Sequence, residues 1–389
     1  MPSSLPIAIT GLGIATSLGR TLLEHEARLE RGLTSFRPLS KLYPDASFGE
    51  TRGAWVPREW LAHRKFGPAS NLARLCALAA VEEAGIEPPQ LQNAGLFLGT
   101  SRGNAAGWLE PWPGHRPFGL LAASNSIHSE PAAAVSLELG IQGPWQVQAS
   151  GCSASLDALG LALLHLRAGL LERALVVGVD LPIVRPLLET YARSGVLAQR
   201  EACDPYDPGT DGFHPGEAGA ALLLETLPAS QARSHPQLLG YWANSDAANL
   251  IGSPAEGEQL AALYQQALQE LARTGQPPAH LCPHANGTQS NRRSESAALA
   301  LAFPEQKPTL HLLKPFTGHS VGASGLVETV LLAHYLRRGL LPPNLAGRTS
   351  LPGAPLPGEP VPVAGTVLNT AISMGGHNAT VALAAAESP

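Results

Sequence analysis

Gln148-Ala-Ser-Gly-Cys-Ser-Ala-Ser-Leu-Asp-Ala-Leu159 is the stretch on which the reading of this chain turns. Just before it, Pro144 to Gln148 has the look of a short strand. Behind Cys152, the run from Ser153 to Leu171 is apolar on nearly every side, as a helix buried between layers must be. A cysteine at the N-terminus of such a helix feels the positive end of the dipole and the unpaired amides there. Both favour the thiolate, the nucleophilic form. Cys152 is therefore a candidate nucleophile, with the alternative that it is one of the inert buried cysteines common in cores.

Outward from Cys152, three later stretches carry chemistry-bearing residues: Asn286-Gly287-Thr288, Lys314-Pro-Phe-Thr-Gly-His319 and Met374-Gly-Gly-His-Asn378. The chain of 389 residues is 44% apolar and 15% charged, enough for a large core and too apolar for disorder. A net charge of −5 and the absence of basic runs argue against nucleic-acid binding. The cysteines at 76, 152, 203 and 282 form no C-x-x-C pair, so neither a disulfide framework nor a metal site is expected. No signal-peptide pattern and no membrane-length apolar run is read, so a soluble, cytoplasmic protein is expected.

Strand-like and helix-like segments alternate. Strands are expected at Ile7 to Ile14, Ala94 to Gly99, Arg173 to Val179 and Ala218 to Glu225, with helices at 16–32, 64–84, 131–140 and from Ser153. From about Gln237 the rhythm repeats, with strands near Leu238, Leu281, Thr309 to Lys314, Thr366 to Ile372 and Thr380 to Ala384. Its helices fall at 257–275, 293–303 and 322–339. This alternation predicts an α/β fold with a mostly parallel sheet. Two all-round apolar helices, from Ser153 and from Gly322, predict two similar halves packed face to face, residues 1–236 and 237–389. The first carries the nucleophile and the second the Asn, His and Lys motifs.

Taken together, the motifs resemble the β-ketoacyl-ACP synthases, condensing enzymes of the thiolase fold. Ile9-Thr-Gly-Leu-Gly13 is similar to the family's opening strand and Gly151-Cys-Ser-Ala-Ser155 to its nucleophile turn. Tyr206-Asp-Pro-Gly-Thr-Asp-Gly-Phe213 with Gly216-Glu-Ala-Gly219, Lys314 to Gly325, and Ile372-Ser-Met-Gly-Gly-His-Asn378 match three further family segments in order. The resemblance implies a five-layered αβαβα sandwich, normally dimeric. It also implies substrates carried on the phosphopantetheine of an acyl carrier protein, with no cofactor of the protein's own. An acyl group moves to the cysteine; a malonyl thioester then loses CO2 and attacks it.

The resemblance also assigns roles. Cys152 is the acyl acceptor, and the backbone amides of Cys152 and Met374 form the oxyanion hole. His319 polarises the malonyl carbonyl, and Lys314 orders the site, with Glu295 as its partner. Thr288 and Ser290 hold the pantetheine arm, and Ile372 and Met374 replace two gating phenylalanines. One departure stands out. The family has Ala-His-Gly-Thr where this chain has Ala285-Asn286-Gly287-Thr288, so Asn286 replaces the first catalytic histidine. An Asn amide is a hydrogen-bond donor but does not titrate near neutral pH, as histidine does. His284, two residues upstream, is expected in a supporting place, since strand alternation puts 284 and 286 on one face at different depths. His377, where the family has threonine, either adds a donor near the oxyanion or satisfies its own loop. Arg64 and Lys65, extended by His63 and Arg74, are candidates for docking the acidic carrier protein. Three readings follow: a condensing enzyme, a non-elongating acyltransferase acting through Cys152, and a non-catalytic subunit like the chain-length factors that pair with a ketosynthase.

Overall fold

The computed structural model describes residues 5–45, 48–62, 65–110 and 127–387. Among them, ten strands form one continuous sheet: β1 (Ile7–Thr16), β2 (Gly95–Gly99), β3 (Trp145–Gln148), β4 (Arg173–Asp180), β5 (Ala218–Thr226), β6 (Gln237–Ser245), β7 (Pro278–Cys282), β8 (Thr309–Leu310), β9 (Thr366–Ile372) and β10 (His377–Ala384). The spatial order is β8-β7-β9-β10-β6-β1-β5-β4-β2-β3. In the first half β1 runs antiparallel to β5 and β5 to β4, while β4, β2 and β3 are parallel. The second half repeats this with β6, β10, β9, β7 and β8. The halves join where Ala8 pairs with Gln237. The sheet is therefore mixed, not mostly parallel. The turn from Ile372 to His377 is too short for a helical crossover, so β9 and β10 pair antiparallel.

Six helices complete five layers: α1 (Pro68–Glu83), α2 (Glu130–Leu139), α3 (Ala154–Arg167), α4 (Glu258–Arg273), α5 (Gln289–Ala302) and α6 (Ser324–Leu336). Leu156 and Leu163 of α3 and Leu326 and Val330 of α6 share one core with Leu222 of β5 and Val381 of β10. These two helices are the middle layer, apolar all round because both of their faces meet sheet. Leu72 of α1 and Val135 of α2 pack on the outer face of the first half, against Leu96 and Val177. Leu263 of α4 and Leu299 of α5 do the same against Leu281 and Leu368 in the second. Each such fully buried Leu stabilises the fold by about 1.5–3 kcal/mol. The glycines of Ile9-Thr-Gly-Leu-Gly13 have a packing reason. A Cβ at Gly13 would lie 2.0 Å from the Cys76 carbonyl oxygen, where α1 crosses β1.

Several boundaries differ from expectation for local reasons. The first helix is Leu22–Glu30, not 16–32, because Thr21 and Glu24 close a capping box. The expected helix from residue 64 begins at Pro68, a favoured first position. Residues 309–314 are strand only to Leu310, and Lys314 opens a helical turn, Lys314–Thr317.

Candidate active site

Two equivalent turns meet at the centre. Ahead of α3, Ser150 is followed by Gly151 at φ +68° and the turn Gly151–Ser153. Ahead of α6, Ser320 is followed by Val321 at φ +46° and the turn Val321–Ala323. A positive φ is normal for glycine and strained for a β-branched residue. The second turn keeps the backbone of the first at that expense. Cys152 sits in one turn and His319 immediately precedes the other.

The pair is close: Cys152 Sγ lies 3.3 Å from His319 Nε2. His319 Nδ1 meets the Ser324 hydroxyl at 3.1 Å, and Ser324 in turn meets Ser320. A hydroxyl both donates and accepts, so this chain can support either tautomer of His319. Burial, then the Lys314 charge, holds His319 well below the ordinary histidine range, and the ring is neutral. Cys152 departs from the sequence expectation. Burial pushes its thiol up to about 11, beyond the opposing pull of Lys314, Arg102 and the Met374 amide. Desolvation of the thiolate outweighs the helix end. The resting group is a thiol, and a base is needed to activate it.

His284 stands beside His319. Its ring packs edge-on to His319, centroids 5.1 Å apart, and the donor atoms of Cys152, His284 and His319 all lie within 4.8 Å of one another. The strand geometry on which the reading of His284 rests ends at Cys282, and Ala285 turns the chain at φ +40°. Two-residue alternation therefore does not carry through 284–286. Asn286 is tied into its own loop instead. Its Oδ1 accepts from the Thr288 N–H and hydroxyl, both at 2.9 Å, so its Nδ2 is the atom that faces His284 Nε2, at 3.3 Å. The amide donates, and His284 carries its proton on Nδ1. Burial, then Lys314, keeps His284 neutral as well.

Lys314 does not pair with Glu295. Its Nζ donates to Glu328 Oε1 at 2.6 Å, both side chains being buried. Glu328 is the one acid in the apolar helix α6, and a lone buried charge requires a partner. That was the available signal in the sequence. Glu295 instead accepts the backbone N–H groups of His284 (2.7 Å) and Ala285 (3.0 Å) and the Tyr206 hydroxyl (3.1 Å). It thus fixes the loop that carries His284. Burial raises its carboxyl to about 7 against the Ala285 amide and Lys314.

Cys152, His284 and His319 line a cavity of ≈ 460 Å³ that also reaches Asn286, Ile372 and Met374. A β-ketoacyl synthase N-terminal domain model matches residues 4–230, and a β-ketoacyl synthase C-terminal domain model matches residues 235–348. The chain belongs to the β-ketoacyl synthase family. It is 27% identical to the actinorhodin polyketide putative β-ketoacyl synthase 1 of Streptomyces coelicolor, over 95% of this chain and 85% of that one. It is 26% identical to the 3-oxoacyl-[acyl-carrier-protein] synthase 2 of Mycobacterium leprae, over 82% and 80%. Among solved structures, a chain of the ishigamide ketosynthase/chain length factor superposes with a TM-score of 0.83 at 23% identity, covering 98% of this chain and all of that one. The fold is thus the thiolase-like αβαβα sandwich of two similar halves.

Within this ketosynthase frame the remaining residues fall into place as follows. Thr288 caps α5, and its hydroxyl donates to Asn286. The Ser290 hydroxyl donates to the Ser253 carbonyl at 3.1 Å. Both line the cavity with their protons engaged, and each oxygen also accepts a backbone N–H, from Asn291 (3.3 Å) and Ser253 (2.9 Å) respectively, leaving one lone pair apiece. Ile372 is buried at the end of β9, while Met374 is 47% exposed at the cavity mouth, and its amide reaches the Cys152 sulfur. Ser373, unremarked in the sequence, clamps this loop to the nucleophile turn. It donates to the Ser150 carbonyl (2.5 Å) and accepts the Ser153 N–H (2.8 Å). His377 points away from Cys152, its Nε2 3.0 Å from Asp157 Oδ1, and that carboxylate raises its pKa. His63 and Arg64 lie outside the described residues. Lys65 is exposed with its Nζ 5.0 Å from the Phe66 ring centre, and Arg74 is engaged by Glu138 at 2.7 Å. Among the described residues, no helix is long and apolar enough to cross a membrane.

Proposed function

We propose that this chain is an active, elongating β-ketoacyl synthase in which His284 takes the place of the family's first catalytic histidine. One observation carries the reading: His284 and His319 converge on Cys152, with their donor atoms within 4.8 Å. His319 Nε2 takes the Cys152 proton as sulfur attacks the acyl thioester of a carrier protein. The pantetheine thiol leaves, reprotonated, and the acyl group remains on Cys152. In the second half-reaction the C–CO2 bond of a malonyl thioester breaks, and its electron pair passes into an enolate. The neutral imidazole N–H groups of His284 and His319 stabilise the enolate oxygen. The enolate carbon attacks the acyl-Cys152 carbonyl, the oxyanion rests on the Cys152 and Met374 amides, and the Cys152 sulfur leaves and takes up one proton from water, which balances the carboxylate lost as CO2.

The test is intact-protein mass spectrometry after incubation with acyl-carrier thioesters, followed by malonyl-carrier protein. An adduct on Cys152 that is converted to a β-keto product is expected. A stable, never-extended adduct would make the chain a non-elongating acyltransferase. No adduct at all would make it a non-catalytic partner subunit.

A further inference from the structure

Arg102 brings a cation into the cavity that holds Cys152. Its position is fixed by its backbone. Asp180 accepts the N–H groups of Ser101 (2.7 Å), Arg102 (2.8 Å) and Gly322 (2.7 Å) and the Thr100 hydroxyl (3.1 Å). The loop after β2 is thereby pinned to the turn before α6. The side chain is only partly provided for. Nη2 donates to the Tyr191 hydroxyl at 3.1 Å, while Nε is buried with no partner among the described residues. No carboxylate among the described residues pairs with the guanidinium, and the oxygens of nearby Asp180 already take four donors. The adjoining walls, Val196, Phe213 and the Tyr191 ring, are largely apolar.

A guanidinium has five N–H donors and does not lose its charge. Leaving buried donors unfilled costs stability or binding, and a saturated acyl chain laid against Arg102 would displace water without replacing its hydrogen bonds. We propose that Arg102 is a specificity-determining residue that selects acyl groups bringing a carboxylate or carbonyl oxygen into the cavity over saturated hydrocarbon ones. This rests on the acylation of Cys152 set out above, but not on elongation. The acyl chain is favoured over the malonyl carboxylate as the occupant. A cation holding that carboxylate would stabilise the group that must leave as CO2, and so favour the ground state.

The experiment follows loading of Cys152 by intact mass, using the full chain and six-carbon pantetheine thioesters. The acyl groups are hexanoyl, 3-oxohexanoyl, 5-oxohexanoyl and adipoyl. At least one oxygenated group is expected to load about tenfold or more faster than hexanoyl, the loss of one charge-assisted hydrogen bond being worth roughly that much. Whether a keto group or adipoyl leads tells a neutral oxygen from an anionic one. Arg102→Met should abolish the preference, and Arg102→Lys should keep part of it for adipoyl; melting curves report whether each variant folds. The wild-type comparison needs no variant, and hexanoyl loading as fast as all the others overturns the proposal. So does a preference unchanged in folded Arg102→Met, or a variant effect confined to the KM for malonyl thioester. Loading without extension overturns elongation and leaves this inference standing; no loading from any donor overturns both.

Discussion

At the scale of single residues, the role proposed for His284 beside Asn286 is open to direct test. His284→Ala should leave acyl loading measurable and lower extension by about 10²- to 10⁴-fold, the usual cost of losing a donor or proton-transfer group. Asn286→Ala should cost far less, on the order of tenfold, because its amide only orients the ring. Steady-state product formation compares the two, and equal losses would return the catalytic role to Asn286. Cys152 gives a pH test. An acid whose pKa is raised stays protonated to higher pH, so with the thiol pushed up to about 11 the thiolate fraction climbs about tenfold per unit across neutral pH. The rate of Cys152 alkylation by iodoacetamide, followed by mass, should therefore rise steadily from pH 7 to 9. A plateau below pH 8 would mean that the helix end and Lys314 outweigh burial after all.

At the scale of elements, α6 carries a charge into the middle layer for the sake of the site. Glu328 and the Lys314 turn hold each other at 2.6 Å in a dry interior. Glu328→Leu leaves the Lys314 charge buried without its partner, and unfolding should be easier by about 3–5 kcal/mol in denaturant melts. The double variant Lys314→Met, Glu328→Leu should recover most of that loss, since a pair of apolar groups pays no desolvation. It should not recover activity, because the cation that bears on Cys152, His284 and His319 is gone. Glu295 is the useful contrast: it acts on loop geometry through the His284 and Ala285 amides, not through Lys314 Nζ.

At the scale of the whole molecule, the sheet ends at β3 on one side among the described residues. The Pro144 and Gln148 carbonyls face inward, to Leu96 and Thr100. By the two-residue period, Trp145 and Val147 turn their backbone groups outward. The Trp145 side chain is 43% exposed, and Leu164 of α3 is exposed as well. An open, apolar edge is a pairing surface. A dimer joined at this edge is expected by light scattering, and Trp145→Lys should shift it toward monomer without loss of fold.

The sequence by itself determined the alternation of elements, the two apolar middle helices and the nucleophile turn. These rest on local periodicity and on residue types whose reasons are local, such as Gly151 at a positive φ. It also singled out Cys152, His319 and Lys314, because each lies in a contiguous motif. Tertiary structure alone decided the partners. Lys314 meets Glu328, fourteen residues on, because α6 turns that carboxylate back onto the Lys314 turn. His284 joins Cys152 and His319 after Ala285 breaks the strand at a left-handed φ, and Asn286 lines the same cavity. The Cys152 pKa rises because the packing of two halves around α3 and α6 removes water from a helix end that would otherwise favour a thiolate. Burial and long-range contact are sums over the whole fold, and no single stretch of sequence contains them.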